Sequence, residues 1–574
     1  MNKTRTESID PMEKQESRTI HILMLMGAFA IGLAFRLIRL GILPLNHMEA
    51  ELALNALAIA RQERAVFNNP MAYVGFTGFS FFLFSTGQFL ARFWPALFGA
   101  LIVFIPFIYR KWIGVWPATI ASILLAISPE MVGLSRIIGT PMMGLIFMLL
   151  GIGFGLHRKP IFTGLCMGLG LMSGTGFWVG LVILGVSLII STRLVDVREI
   201  FSRRGLESTS TFWIHLCLSF VAALLIVGTA FFRAPSGLTS ILSGLHEFFL
   251  GFGKAEMAPF GLIPFALLSY VAGAVIFGLW GAIRGGLTKS KPDIFLLIWS
   301  GFGLIFLILY PGGGPADLVW VTLPLWILSA RVVCLAWRTP ESSWLVSAIT
   351  AVLVVVISAF MLLALRTLVS PTLTQAQQIN YLVALVGGVV LVVAIILLVS
   401  YGWSQDVAQA GLMLGLALVI PVGMISVSVN TTGLGPEVPY ELWYPDEAVL
   451  YTEWLEVAID RVIVWNASSG LPVEIVVTDN DTPGMRWALR HYNPVDFVPF
   501  SPPQSQPGIM ITNAGTIPKI SQGYQGQDLV FSRIVPWREI SLNQYLTWLV
   551  TREVPTISQE IILWVRTDLM PAGQ

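Results

Sequence analysis

Long apolar runs separated by short polar stretches fill the first three quarters of the chain. Runs of spanning length fall at about 20–43, 92–109, 115–134, 139–156, 161–174, 176–192, 211–231, 260–283, 293–310, 318–336, 343–365, 379–401 and 407–429, about thirteen in all. A helix crossing a bilayer needs about 20 apolar residues and must satisfy its own backbone, because lipid offers no hydrogen-bond partners. The fifth and sixth runs are short and rich in glycine (Gly164, Gly168, Gly170, Gly174, Gly176), so they read as one hairpin or two half-buried helices. After residue 433 the pattern changes. Strand-like runs at Val473–Val477, Gly508–Thr512 and Leu529–Phe531 alternate with helix-like segments near 447–465, 483–491 and 543–551. Short strands alternating with helices indicate a small α/β domain. The expected fold is a polytopic α-helical membrane protein of about 13 transmembrane helices with a C-terminal soluble α/β domain. Its parts are a disordered N-terminus at 1–18, a membrane domain at 19–433 with a long external loop at 44–91, and a tail domain at 434–574.

Composition agrees. Of 574 residues, 55% are hydrophobic and 12% charged, against roughly 25% charged in soluble proteins. The formal net charge of +1 hides a division. The tail holds 16 acidic and 8 basic residues, and the rest of the chain 17 acidic and 26 basic. A basic membrane part joined to an acidic tail suggests two compartments, and no nucleic-acid partner is expected. Basic clusters mark alternate span ends: Lys14 and Arg18, Arg110 and Lys111, Arg158 and Lys159, Arg193 to Arg204, Lys289 and Lys291, then Arg331. The positive-inside rule places these ends in the cytoplasm. With thirteen spans the tail lies outside, and the expected location is the plasma membrane, multi-pass. The three cysteines, Cys166, Cys217 and Cys334, all lie in apolar runs, so the tail has neither a disulfide framework nor a zinc spacing.

One acidic stretch, Asn46-His47-Met48-Glu49-Ala50-Glu51, follows the first run. Ionisable residues at membrane depth are functional candidates by default. Residues 47–63 read as an amphipathic surface helix. At 100° per residue, Glu49 falls beside Ala53, Ala56 and Ala60, and Glu51 on the far side with Asn55 and Gln62. A carboxylate on an apolar face is costly without a purpose. Glu49 is thus either a general base at the interface or a helix N-terminal residue stabilised by the dipole and an arginine. Glu51 has an ordinary explanation as a solvated-face residue, and His47 as a cap, though both stand at the same mouth as candidate substrate contacts. Arg136, Arg233 and Lys254 lie in external loops, where each either snorkels or holds a phosphate.

The order of several short motifs resembles the GT-C class of membrane glycosyltransferases, in the branch of protein mannosyltransferases and aminoarabinose transferases. His47-Met48-Glu49-Ala50 is similar to the "H-D-E-A" element of that branch's first loop. Ala91-Arg92-Phe93-Trp94-Pro95-Ala96-Leu97-Phe98-Gly99 is similar to "RLPSALFG", and Ser128-Pro129 with Leu134-Ser135-Arg136 to "SP…YSR". Tyr310 to Pro324 resembles the late "RY…P" loop without its arginine, leaving Asp317 as the nearest charge. Two further departures are Met48 in place of the paired acid and Thr140 where an acid often follows. The resemblance covers roughly residues 20–335 and implies transfer of a sugar from a polyprenyl-phosphate donor to a glycan, lipid or protein hydroxyl at the outer face. Under it Glu49 would act as base, inversion would follow from in-line attack, and Arg136 or Lys254 would hold the leaving phosphate. No metal-ligand cluster is visible in the sequence, so metal independence is expected, with no cofactor beyond the lipid-linked donor as substrate. A lipid transporter or flippase-associated protein and an inactive envelope-assembly scaffold remain open alternatives, the latter because of Met48. Transporters commonly show related halves, and no internal repeat is visible.

Overall fold

The computed structural model describes residues 11–63, 70–194, 210–254, 261–288, 290–336, 343–370, 373–433, 440–444, 447–466, 473–499, 506–516 and 523–570. Among them, ten helices are long and apolar enough to cross a membrane, or eleven with the bent pair Val115–Ile127 and Pro129–Ser135 counted as one. All thirteen expected runs are helical, but two fall short of a span. Met142–Leu156 and Pro160–Leu171 have 15 and 12 residues. At 1.5 Å per residue they reach about 22 and 18 Å, less than the roughly 30 Å of hydrocarbon. Glycines let these short helices sink between longer ones. A Cβ at Gly164 would meet Ser219 Oγ of helix Ser210–Gly228 at 2.1 Å. The bent pair turns by 56° at Ser128-Pro129, where proline lacks the N–H that would continue the ladder.

The N-terminal segment expected to be disordered differs in part. Helix Pro11–Leu37 already includes residues 11–18, and residues 1–10 lie outside the described residues. The stretch 44–91 is not simply a loop. It folds as helix His47–Arg61, the apolar helix Met71–Leu83 and the first turn of Gln88–Ala100. The stretch between Arg233 and Lys254, expected to be a loop, likewise carries helix Ser240–Gly251.

The tail forms a six-stranded mixed sheet. Its strands are β1 (Ala448–Val449), β2 (Ile475–Thr478), β3 (Val495–Val498), β4 (Ile509–Asn513), β5 (Tyr524–Ile534) and β6 (Ile557–Arg566), in the order β1-β5-β6-β4-β2-β3. β2 runs parallel to β3 and β4, and the other neighbours are antiparallel. Ile561, Leu563 and Val565 alternate inward from β6 onto Ile475, Val477, Ile509 and Ile511. Helices Thr452–Asn466, Pro483–Ala488 and Leu542–Thr551 stand where the pattern placed them.

Aromatic residues fasten the tail to the membrane bundle. Trp548 is fully buried, its ring 6.0 Å from those of Phe265 and Tyr270, and its Nε1–H donates to the Tyr440 carbonyl at 2.7 Å. Trp487 packs 6.0 Å from Phe81. Helix His47–Arg61 and the tail therefore lie against each other on one face of the bundle.

Candidate active site

Asn46 opens helix His47–Arg61 with a capping box. Its Oδ1 accepts from Glu49 N–H at 2.8 Å, and Glu49 Oε2 accepts from Asn46 N–H at 3.2 Å. This reciprocal pair satisfies two backbone donors that the helix end would otherwise leave open. Glu49 is fully buried and Glu51 exposed, the separation that the helical wheel implied.

Arg92, from helix Gln88–Ala100, clamps the same carboxylate in a bidentate ion pair. Nε donates to Oε1 at 2.9 Å and Nη2 to Oε2 at 2.5 Å. Ile138 N–H adds a bond to Oε1 at 3.1 Å. Glu49 thus accepts four hydrogen bonds. The guanidinium also donates to the carbonyls of Leu43 at 2.6 Å and Pro44 at 2.9 Å. A fork-to-fork pair with extra donors holds charge in a buried place at tolerable cost.

Glu49 and Arg92 line a cleft between the segment that follows the first span and the tail. Leu43, Pro44 and Asn46 form one wall. Tyr440, Glu441, Tyr444, Val449, Arg533 and Trp537 form the other. Two buried polar atoms of the lining, Asn46 Nδ2 and Tyr440 Oη, have no hydrogen-bond partner among the described residues. Such atoms are costly unless a ligand or water meets them. Burial first, and the negative charge of Glu49 second, push the Tyr444 phenol well above its ordinary range, so it remains a neutral donor.

Of the residues singled out from sequence, Glu49 alone lines this cleft. His47 ties the helix to the tail: Nδ1 accepts from Gly484 N–H at 3.2 Å and Nε2 meets Glu447 Oε2 at 3.2 Å. Arg136 spends its guanidinium on backbone carbonyls, those of Phe35, Arg36, Ile38, Arg39 and Thr432. Arg233 lies 3.6 Å from the centre of the Phe82 ring. Asp317 caps a short 3₁₀ turn by accepting from Gly314 N–H at 3.0 Å. Lys254 and Glu51 belong to a separate surface group around Glu247. Burial raises the Glu247 carboxyl; Lys254 and His246 oppose that and Glu51 adds to it. Arg136 and Lys254, expected to stand with Glu49 around a leaving phosphate, are not among the residues that line the cleft. Met48, at the position of the expected second acid, lays its thioether towards Gly139, and Thr140 Oγ1 donates to the Leu134 carbonyl at 2.8 Å.

Arg92, Tyr440, Glu441, Tyr444 and Arg533 were not singled out. For Arg92 a signal existed, a lone arginine in the opening turns of an apolar run. The tail residues carried none, because only folding brings them to the membrane face. Alanine at Glu51 or Lys254 is expected to shift stability by no more than about 0.5 kcal/mol and to leave turnover unchanged, as checked by thermal unfolding and a transfer assay.

No protein-family model matches the chain, and no curated protein matches it either. Solved structures do match. ArnT from Cupriavidus metallidurans bound to undecaprenyl phosphate aligns with a TM-score of 0.54 at 16% identity, covering 96% of this chain and 98% of that one. ArnT from the same organism in the apo state aligns with a TM-score of 0.49 at 16% identity over 97% and 99% of the two chains. The likeness runs through the bundle and the tail alike, and at this identity it is one of architecture: the protein is a polytopic membrane chain with the ArnT fold.

Proposed function

We propose that the protein is a GT-C-type glycosyltransferase that moves a sugar from a polyprenyl-phosphate donor to an acceptor hydroxyl in the cleft, at the outer face of the membrane and with inversion. The observation that carries this reading is the cleft itself. It joins buried acids, arginines and unpartnered donors where the bundle meets the tail, in a fold shared with a protein whose structure holds undecaprenyl phosphate. Such a place suits a donor whose tail stays in lipid while its sugar enters a polar pocket. Cationic and neutral donors there stabilise a phosphate that gains charge as the sugar leaves.

The sequence reading assigned proton abstraction to Glu49. In the folded chain that role requires the carboxylate to release one of its four donors as substrate enters. Without such release Glu49 serves as the fixed negative end of the pair that shapes the cleft floor.

The test is transfer by purified protein in lipid nanodiscs, using a panel of undecaprenyl-phosphate pentoses and hexoses with membrane extract as acceptor, and mass spectrometry of the product. Ala448→Trp, which places an indole in the cleft lining, is expected to abolish transfer in a folded protein. Wild-type transfer by that variant would sink the assignment of chemistry to this cleft.

A further inference from the structure

Glu441 is the second acid of the cleft, and its setting is the reverse of that of Glu49. It lies in the short segment 440–444 between the last span and the sheet, is 1% exposed, and lines the cleft. Among the described residues its hydrogen bonds all fall on one oxygen. Tyr270 Oη donates to Oε2 at 2.5 Å, and Arg552 Nη1 donates to the same atom at 3.5 Å. The direction of the first bond is settled by a third group. Leu442 N–H donates to Tyr270 Oη at 3.0 Å, which leaves the phenol proton for Glu441.

The supports are themselves held. The Tyr270 ring lies 4.1 Å from that of Trp443, and the Arg552 guanidinium lies 4.4 Å from the centre of the Trp548 ring. The result is a buried carboxylate with one oxygen pinned and oriented and, among the described residues, no hydrogen bond to the other. A base needs both features, a fixed direction and an unspent lone pair.

We propose that Glu441 is a catalytic residue of the cleft, its Oε1 taking the proton of the acceptor hydroxyl; this role rests on the transferase reading above. As the O–H bond of the acceptor breaks, its proton passes to Glu441 and its oxygen bonds to the anomeric carbon. The bond from that carbon to the donor phosphate breaks on the opposite side, and the electron pair departs with polyprenyl phosphate. Glu441 then returns its proton to water.

Burial raises the Glu441 carboxyl, with Arg552 and Tyr270 opposing the rise. A raised carboxyl is a stronger base once ionised, and it is disabled by protonation as pH falls through its raised value. Turnover is therefore expected to show an acid limb belonging to this group.

Two measurements on the full chain in nanodiscs test the role. The first is modification by dicyclohexylcarbodiimide across pH, read by peptide mass spectrometry. Glu441 is expected to be modified and to be protected by undecaprenyl phosphate, while Glu49 stays unmodified. A Glu441 inert at every pH overturns the proposal. The second is the transfer assay with Glu441→Gln and Glu441→Asp beside a thermal unfolding trace. Glu441→Gln is expected to lower kcat by about 100-fold or more with little change in KM and to lose the acid limb, and Glu441→Asp to recover part of the rate. A folded Glu441→Gln or Glu441→Asp protein with the wild-type rate and pH profile removes Glu441 as base but leaves the transferase reading standing. If the wild type transfers from no donor in the panel while Glu441 is modified and lipid-protected, the transferase reading falls and the catalytic role falls with it.

Discussion

Replacing Arg92 with Met is expected to destabilise the protein by about 3–5 kcal/mol, because it leaves the Glu49 carboxylate buried without its counter-charge. The two side chains are 6% and 0% exposed, so water cannot take over. The loss does not stop at the pair. Arg92 also receives the chain at Leu43 and Pro44, just before the capping box. Those carbonyls lose a charged donor, each such bond contributing about 1.5–3 kcal/mol. The measurement is the unfolding midpoint in detergent for Arg92→Met, Glu49→Gln and the double variant. The double variant should be more stable than the sum of the two losses implies, since it removes the stranded charge together with its partner. Additive losses would mean that Arg92 and Glu49 contribute separately.

Arg136→Met is expected to cost about 3 kcal/mol or more through a different cause, the loss of a charged donor to several carbonyls at once. The last carbonyls of a helix have no partner within it, and a cation there also opposes the negative end of the dipole. Arg136 serves the end of helix Pro11–Leu37 in both ways, through Phe35 and Arg36 and then Ile38 and Arg39. It also reaches the Thr432 carbonyl at 2.9 Å, just past the last span. The first and last spans are thus joined through one guanidinium. Arg136→Lys, which keeps the charge but supplies three donors on a single atom, should recover only part of the midpoint. Full recovery would reduce the effect to charge alone.

The loss at Arg136 has no counterpart in the cleft, and the contrast shows how motif position and role come apart. The "SR" element aligns Arg136 with a place of apparent chemistry, yet its donors are consumed by main chain. Arg92 sits in an element that reads as the ordinary opening of a span, yet it forms the ion pair on the cleft floor. A motif reports that a residue type stands at a position. Whether its hydrogen-bonding capacity is left over for a ligand depends on every neighbour, and those neighbours come from distant parts of the chain. Glu49 and Arg92 are 43 positions apart, and Tyr270 and Glu441 are 171 apart.

Local pattern carried what local physics decides. Apolar runs became helices, because in lipid a backbone has no other way to satisfy itself. The period of 3.6 residues put Glu49 inward and Glu51 outward, and short apolar runs marked β2, β4 and the middle of β5. The same pattern missed β6, although its inward residues alternate, and it missed helix Met71–Leu83, too short to stand out as a span. It also extended Met142–Leu156 to a full crossing, since hydropathy alone says nothing about which glycines let a short helix sink between long ones, whereas the short, glycine-rich run at Pro160–Leu171 was read as part of a hairpin or a half-buried helix.

The amino-acid sequence by itself determined the membrane class, the change of character after residue 433, and the inward turn of Glu49, because each follows from the periodicity and polarity of neighbouring residues. Only the tertiary structure decided which acid keeps an unspent oxygen. Glu49 is saturated by donors from Arg92, Ile138 and Asn46, while Glu441 is pinned on one side by Tyr270 and Arg552. Free lone pairs are what remains after all partners are counted, and those partners meet only once the tail has docked on the bundle.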